Sequence, residues 1–277
     1  MKKVVIIGAS GFIGSYFFEE FNKISTYSVE GTFFSNEKEN LIHLDYTQSE
    51  IFIDKLIKIN PDIIIWSAGI KNISRLETNE SLSETHNILP IKSLVDYQNK
   101  TKKKFHFVFI SSDYVFDGKD GDYSVYNIPN PNTTYGRSKL ASEDYIKKRS
   151  PLYTILRIGA VIGKGSVFWD WLINELRSKK KVDLFDDIFS PTPLNTLFQA
   201  TDKCINSKLK GVFHISGGKS ISRYEFGSLI NRKLLKTDVS IVKINRKTDF
   251  LINRALTCSK EFSELYTLDD FINESIV

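Results

Sequence analysis

Cysteine, long apolar runs and charge of one sign are all scarce in this 277-residue sequence. Its two cysteines, Cys204 and Cys258, are too few for a disulfide framework and lack the spacing of metal ligands, so we expect no metal site. No apolar run is long enough to cross a membrane. The net charge of +5 is small and spread along the chain, which argues against a nucleic-acid partner. Free thiols and the lack of an apolar span favour a cytoplasmic location.

Glycine is placed where a nucleotide site needs it. The apolar run Val4–Ile7 is followed at once by Gly8, Gly11 and Gly14, and then by a predicted helix. Gly8 permits a tight turn, Gly11 lets the backbone approach a pyrophosphate, and Gly14 allows close packing of the helix, whose N-terminus attracts phosphate. The alternative is a glycine-rich turn without a ligand, but the strand–turn–helix order favours a dinucleotide site. The other predicted cofactor-binding residues of this turn are Ser10, Phe12 and Ile13.

Apolar runs and helical segments alternate through the first part of the chain. The predicted strands lie at residues 4–7, 27–34, 41–44, 63–66, 105–110 and 152–157. Strands separated by helices predict an α/β fold with a doubly wound parallel sheet of the Rossmann type. After Gly163 the pattern is less regular. We expect a dinucleotide-binding domain over residues 1–163 and a smaller, intertwined substrate-binding part over residues 164–277.

The end of the second predicted strand bears on the choice of cofactor. NAD enzymes usually carry a carboxylate there for the ribose hydroxyls, whereas Thr32, Ser35 and Asn36 precede the first carboxylate, Glu37. Hydroxyl and amide groups tolerate a 2′-phosphate that a carboxylate would repel. The segment therefore favours NADP(H). NAD(H) is the alternative if Ser35 and Asn36 only form a turn.

Four further positions complete the predicted cofactor site. Asp45, after the third strand, either meets the adenine or caps the helix that follows. Ala68 and Gly69, after the fourth strand, are small enough for backbone to pass close to a cofactor. Asn87 lies in a predicted helical region over residues 82–100, where an amide is most often a surface group or a satisfied core group.

Tyr135 and Lys139 are four residues apart, so their side chains share one face of a predicted helix. A phenol, with a pKa of about 10, is a poor acid–base group at neutral pH, and a cation one turn away favours the phenolate. Ser112 follows the run at 105–110, at the strand end where open α/β sheets place their sites. Together the three residues are suited to bind a carbonyl oxygen and protonate it. Tyr-x-x-x-Lys is also common by chance, and a solvated surface helix is the alternative.

Several segments resemble the extended short-chain dehydrogenases/reductases, and more narrowly the dTDP-4-dehydrorhamnose reductase family. The resemblance implies NADPH-dependent reduction of a nucleotide-linked 4-keto-6-deoxysugar, in deoxysugar or surface polysaccharide biosynthesis. It makes Ser112, Tyr135 and Lys139 the catalytic residues, with Tyr135 and Lys139 also contacting the cofactor. The nucleotide sugar is the implied partner, and a homodimer is compatible with the family. The segments that carry the resemblance are Gly8–Gly14, Phe109–Gly118, Asn132–Lys139, Asp187–Thr192 and Arg223–Phe226.

The resemblance also implies a substrate side, where this chain departs from the family. Ile188 and Ser190 replace a glutamine and a glycine, Val167 stands in place of an asparagine, and Arg254 precedes Ala255 instead of a proline. These departures put rhamnose itself in question and leave the proton-transfer residues intact. The implied substrate-binding residues are Asp113, Val115, Arg157, Val167, Ile188, Ser190 and Arg254.

Three other functions remain open on the sequence. A dehydratase or epimerase of the same fold is one, but dehydratases usually carry Asp-Glu after the serine or threonine, and here Asp113 is followed by Tyr114. A regulatory subunit resembling the β subunit of methionine adenosyltransferase is the second. The third is a nucleotide-binding redox sensor without turnover.

Overall fold

The computed structural model describes residues 1–101, 104–248 and 250–275. The first part of the chain alternates strands with helices, as expected. The elements are β1 (Lys2–Ile7), α1 (Phe12–Asn22), β2 (Tyr27–Phe33), β3 (Leu41–His43), α2 (Ser49–Ile59), β4 (Ile63–Trp66), α3 (Ile73–Thr78), α4 (Glu80–Ser83), a π-helical turn (Glu84–Ile88), α5 (Leu89–Thr101), β5 (His106–Ser112), a 3-10 turn (Asp113–Val115), α6 (Thr134–Arg149) and β6 (Tyr153–Ile158).

The later part of the chain has shorter strands. Its elements are β7 (Val161–Ile162), α7 (Val167–Ser178), β8 (Lys181–Phe185), β9 (Ile188–Phe189), β10 (Thr192–Pro193), α8 (Leu194–Asn206), β11 (Gly211–Ile215), β12 (Ile221–Ser222), α9 (Arg223–Ile230), a second π-helical turn (Asn231–Leu235), β13 (Ser240–Ile244), a 3-10 turn (Lys260–Phe262) and α10 (Leu268–Glu274). None of the helices in the described ranges combines the length and apolarity that a bilayer span requires.

Within the described residues, the central sheet has seven strands in the order β11-β6-β5-β4-β1-β2-β3. β1 pairs in parallel with both β2 and β4, β2 pairs in parallel with β3, and β4 with β5. The order therefore reverses direction at β1 and β4. In open α/β sheets, ligands bind outside the carboxyl ends of the strands at such a switch point. The expected doubly wound Rossmann fold is confirmed.

The chain divides into two compact units. The first comprises residues 1–115, 129–157 and 201–213, and the second comprises residues 116–128, 158–200 and 214–277. The first unit contains most of the central sheet, and its core includes Ile64, Trp66, Phe107 and Phe109. Every residue of β4 and β5 is buried, which explains why these strands read as continuous apolar runs rather than as alternating ones.

The second unit has its own core, built between α7, β8, α9 and α10. It includes Leu172, Leu184, Phe226 and Leu268. Three two-stranded pairings organise this unit: β7 with β10, β8 with β13, and β9 antiparallel to β12. Short strands with few ladder bonds explain why the sequence pattern is irregular after Gly163.

Candidate active site

The glycine turn after β1 leaves no room for side chains. Gly8 has a φ of +90°, and a Cβ there would lie 2.9 Å from the backbone of Ala68. A Cβ on Gly14 would lie 2.2 Å from the carbonyl oxygen of Gly8. Gly11 stands at the N-cap of α1, where no side chain caps the helix, and the first turn holds no acidic residue. The first N–H groups of α1 thus remain for an anion, and the cradle fits the pyrophosphate of a dinucleotide.

The end of β2 divides the predicted cofactor residues into two kinds. Thr32 is buried, and its hydroxyl accepts a hydrogen bond from the Gly8 N–H at 3.3 Å and donates one to the Ile6 carbonyl. It therefore ties β2 to the glycine turn from within the sheet. Ser35 and Asn36 lie in the bend after β2 and are exposed. These two residues are the ones placed to meet a ligand from solvent.

The carboxylate of Asp45 organises the turn before α2. It accepts hydrogen bonds from the Thr47 N–H at 2.9 Å, the Thr47 hydroxyl and the Gln48 side chain at 2.7 Å. Partial burial raises the pKa of Asp45, but these hydrogen bonds outweigh it and hold the pKa below its ordinary value. The capping role considered from the sequence is thus present, and contact with an adenine stays a prediction.

Asn87 joins two parts of the candidate site. Its Oδ1 accepts from the Ile70 N–H at 2.8 Å, and its Nδ2 donates to the Ile70 carbonyl and to the Ser138 hydroxyl on α6. Gly69 has a φ of +131°, and a Cβ there would lie 2.7 Å from the Asn87 Oδ1. Asn87 lies in the π-helical turn, a feature often found at functional sites. The loop after β4 and α6 are therefore linked through the Asn87 side-chain amide.

The structure brings Ser112, Tyr135 and Lys139 together. Tyr135 forms a hydrogen bond with the side chain of Ser112. Lys139 Nζ lies 5.9 Å from the centre of the Tyr135 ring and donates a hydrogen bond of 2.9 Å to the Ile110 carbonyl. Ser112 Oγ donates to Asp113 Oδ1 at 2.9 Å. The three residues form a cluster at the carboxyl end of β5, in the same unit as the glycine turn.

Two contacts explain why α6 presents Tyr135 at this place. Glu77 on α3 accepts hydrogen bonds from the Thr134 N–H and hydroxyl at 2.7 and 2.9 Å, which caps the start of α6 from a neighbouring helix. A Cβ on Gly136 would lie 2.0 Å from the carbonyl oxygen of Tyr114. Glycine at this position therefore lets α6 approach the 3-10 turn that follows β5.

The environment corrects one expectation about the proton. The sequence predicted that Lys139 would lower the pKa of Tyr135. In the protein without ligand, burial raises the pKa of Tyr135 well above 10, and the charge of Asp113 adds to this increase, while the hydrogen bond with Ser112 opposes it. Burial also lowers the pKa of Lys139 to about 8, against the opposing influence of Glu143. Tyr135 thus keeps its proton at neutral pH, as a proton donor must.

Arg157 and Glu143 form a buried ion pair in the first unit. Arg157 Nε lies 3.1 Å from both Glu143 oxygens, and Nη2 donates to Oε2 at 2.7 Å. Ser111 Oγ donates to the same carboxylate at 2.5 Å. The guanidinium is thus engaged inside the unit, and a contact between Arg157 and substrate stays a prediction. Sequence reasoning missed Glu143, although its spacing of four from Lys139 was a signal.

The remaining implied substrate residues fall into two groups. In the first unit, Asp113 and Val115 are buried in the 3-10 turn. In the second unit, the backbone N–H of Arg254 donates a hydrogen bond of 3.0 Å to the carbonyl oxygen of Ile188, so these two residues are neighbours. Ser190 is fully buried, and its hydroxyl bonds the backbone of Leu256. The remaining member, Val167, is 75% exposed at the start of α7.

The second unit contains a cavity of about 400 Å³ that combines charged and aromatic groups. At its wall, Arg246 Nε donates to Asp187 Oδ2 at 2.5 Å, and the guanidinium lies 4.0 Å from the centre of the Phe185 ring. Sequence reasoning noticed Asp187 but missed Arg246. The lining residues are Asp186, Asp187, Asn245, Arg246, Thr248, Phe250, Leu251 and Ile252. Across the described ranges, no cluster of His, Cys, Asp or Glu is arranged to hold a metal ion.

Comparison with known proteins places these features in a family context. The probable low-salt glycan biosynthesis reductase Agl14 of Haloferax volcanii is 27% identical over 236 residues, covering 81% of this chain and 78% of the relative. The β subunit of methionine adenosyltransferase 2 of Rattus norvegicus is 23% identical over 248 residues, covering 83% of this chain and 71% of the relative. The fold of the dTDP-4-dehydrorhamnose reductase of Bacillus anthracis in complex with NADP matches with a TM-score of 0.87, at 24% identity, over 99% of this chain and 98% of that one.

The predicted resemblance to the extended short-chain dehydrogenases/reductases, and within them to the dTDP-4-dehydrorhamnose reductase family, is confirmed. A family model described as the RmlD substrate binding domain matches residues 1–250. That match includes the glycine turn, the three clustered polar residues after β5 and most of the second unit. The chain therefore belongs to the RmlD substrate-binding domain family.

Proposed function

We propose that this protein is an NADPH-dependent ketoreductase that reduces the 4-keto group of a nucleotide-linked 6-deoxysugar during glycan biosynthesis. The observation that carries the proposal is the cluster of Ser112, Tyr135 and Lys139 at the carboxyl end of β5. A glycine cradle in the same unit supplies the cofactor site. Family membership and a reductase of glycan biosynthesis among the relatives support the same reaction.

The residues present fit the cofactor. The first turn of α1 and the glycines before it would hold the pyrophosphate. Ser35 and Asn36 would face the 2′-phosphate, and Lys139 would hold the nicotinamide ribose. The Bacillus anthracis reductase is a complex with NADP, which supports this choice. When bound, NADPH supplies the hydride that reduces the carbonyl carbon.

The chain's own residues supply position and a proton. The Ser112 hydroxyl, which donates to Asp113 in the structure, would turn to donate a hydrogen bond that orients the carbonyl oxygen. Tyr135 gives its proton to this oxygen as negative charge develops. An alkoxide is far more basic than a phenolate, so the transfer is favourable even from a phenol with a raised pKa. The Lys139 ammonium group then stabilises the phenolate that remains.

We further propose that residues after 163 recognise the sugar nucleotide, so that sugar choice follows their sequence. Ile188, Ser190 and Val167 differ from the family pattern, and we infer a sugar other than rhamnose. The cavity beside Arg246 and Asp187 combines a guanidinium, carboxylates and an aromatic ring, which suit a polar ligand with a flat base.

Homodimerisation and a cytoplasmic location complete the proposal. Light scattering during gel filtration tests homodimerisation.

The test is consumption of NADPH with a panel of 4-keto sugars linked to dTDP, GDP and UDP. We expect one member to be reduced with a rate that the Tyr135→Phe variant loses. Product analysis by NMR then gives the configuration of the new hydroxyl. If no member is reduced while NADPH still binds by titration calorimetry, the ketoreductase proposal is wrong.

A second candidate is a regulatory subunit that binds NADP without turnover. Its basis is the match with the β subunit of methionine adenosyltransferase 2, which extends over 83% of this chain. A pull-down of methionine adenosyltransferase from the same organism tests it directly. Stable capture, with altered synthetase kinetics and no ketoreductase activity, would favour this candidate.

A further inference from the structure

One face of α6 meets three consecutive residues of β5. The side chains on this face are four residues apart and therefore stack one turn above another. In the first turn of the helix, Tyr135 is hydrogen-bonded to the Ser112 side chain. One turn later Lys139 donates to the Ile110 carbonyl, and one turn beyond that Glu143 accepts from the Ser111 hydroxyl. The third contact also holds α6 against β5, and it takes no part in the proposed proton transfer.

The third contact also carries charge in the interior. Glu143 is fully buried and Arg157 is 3% exposed. Both oxygens of the Glu143 carboxylate accept hydrogen bonds from the Arg157 guanidinium. A buried ion pair is costly to desolvate, and an apolar pair of similar volume often stabilises a fold as well. The pair is therefore weak evidence for a purely stabilising role, and its charge is the property to consider next to a buried lysine.

Lys139 is the cation that this carboxylate faces along the helix. Lys139 is buried, with the Phe109 ring 4.7 Å from its Nζ. The ionisable groups next to it on α6 are Tyr135 and Glu143. Beyond them, Asp113 and Tyr114 in the turn after β5 act on Tyr135, and Arg157 on β6 binds Glu143. Glu143 is the anion whose charge acts directly on Lys139.

We propose that Glu143 is a positioning residue: its carboxylate, held by Arg157 and Ser111, keeps Lys139 charged and fixed beside Tyr135. The consequence for turnover rests on the proposed function. The consequence for the charge of Lys139 does not, because it belongs to the protein alone. These two consequences are therefore measured separately.

Two variants remove the carboxylate in different ways. Glu143→Gln keeps the shape and hydrogen bonding but leaves Arg157 without its anion. The double variant Glu143→Met with Arg157→Met replaces the whole pair by apolar side chains and preserves the fold if the pair follows the general pattern. Asp144→Asn is the matched control, because Asp144 is the next residue of α6 and pairs with Lys147 at the surface. Circular dichroism and urea unfolding report on the fold of each.

The titration of Lys139 is followed by NMR of lysine side chains labelled at Cε, with the signal assigned by its loss in Lys139→Met. Removal of an anion disfavours the charged lysine, so we expect the midpoint to fall by about one pH unit or more in Glu143→Gln, and by less in the double variant, which also removes the Arg157 cation. Asp144→Asn should leave it unchanged. The alkaline limb of single-turnover hydride transfer should move in the same direction by a similar amount.

The outcomes separate the two proposals. An unchanged Lys139 midpoint in the folded variants would overturn the role of Glu143, even if the enzyme is an active ketoreductase. A shifted midpoint in a protein that reduces no sugar would support the role of Glu143 and overturn the ketoreductase. Loss of the fold in both variants would assign the pair to stability and overturn the positioning role.

Discussion

Tyr135 is the proposed proton donor, and its surroundings keep it protonated. Burial and the charge of Asp113 hold its pKa above the ordinary value. We expect Tyr135→Phe to keep the fold and NADPH binding and to lower turnover by about 10²–10⁴, the usual effect of a positioned general acid. Single-turnover hydride transfer measures this. The control is Tyr145→Phe, because Tyr145 also lies on α6 and its hydroxyl donates to Asp96 on α5 at the surface. Near-normal rates in Tyr135→Phe would contradict the mechanism.

The buried charge of Lys139 is expected to lower the free energy of unfolding. Its folded pKa of about 8 lies below the ordinary 10.5, so the unfolded chain binds more protons between these values and the folded state is penalised below pH 8. Lys139→Met should therefore have a higher free energy of unfolding near pH 7, by up to about 3 kcal/mol. It should also be inactive, because the proposed mechanism needs the lysine. This gain should vanish as the pH rises through 8 toward 10.5. Urea unfolding near both ends of this range measures it, and a gain independent of pH would contradict the shift.

At the scale of elements, the position of α6 depends on its close approach to the turn after β5. A Cβ at position 136 would lie 2.0 Å from the carbonyl oxygen of Tyr114. We expect Gly136→Ala to lower the free energy of unfolding by about 1–3 kcal/mol. The rate of hydride transfer should fall as well, because Tyr135 moves with the helix. Ala141→Ser, at an exposed position of α6, should be neutral. Full activity in the Gly136→Ala variant would show that the turn can move without affecting the site.

The bend after β2 tests the choice of cofactor. Ser35 and Asn36 are exposed there, and no carboxylate lies between the end of β2 and Glu37. We expect Ser35→Asp to reverse or abolish the preference for NADPH over NADH, because a carboxylate repels the 2′-phosphate. Titration calorimetry with both cofactors measures the preference. Tighter binding of NADH than NADPH by the unmodified protein would contradict our interpretation of this bend.

At the scale of the whole molecule, we expect one compact unit to bind the cofactor and the other to recognise the sugar. The first contains the glycine turn and the proton-transfer residues, and the second contains the loop with Ile188 and Ser190. We expect Ile188→Gln to change the accepted sugar or its apparent affinity and to leave NADPH binding unchanged. Substrate-panel kinetics and cofactor titration on the same preparation measure both. Weaker cofactor binding with an unchanged substrate profile would contradict this division.

The architecture of the first unit and the residue types of its site could be predicted from the sequence. Buried parallel strands are apolar throughout, so the runs 63–66 and 105–110 locate β4 and β5 to within two residues. Gly8 and Gly14 mark places where a Cβ would clash with backbone. A spacing of four residues puts Tyr135 and Lys139 on one helical face. These are local properties, set by backbone geometry over one or two turns.

Features that depend on partners distant in the chain emerged only from the folded structure. Asn87 looked ordinary because its role comes from Ile70 and Ser138, which lie 17 and 51 residues away. Glu143 and Arg157 form an ion pair only because α6 packs beside β6. The direction of the Tyr135 pKa shift was wrong from sequence, since it depends on how far the folded chain desolvates the phenol. Burial and long-range pairing exist only after folding, and they set the charges on which the proposed chemistry depends.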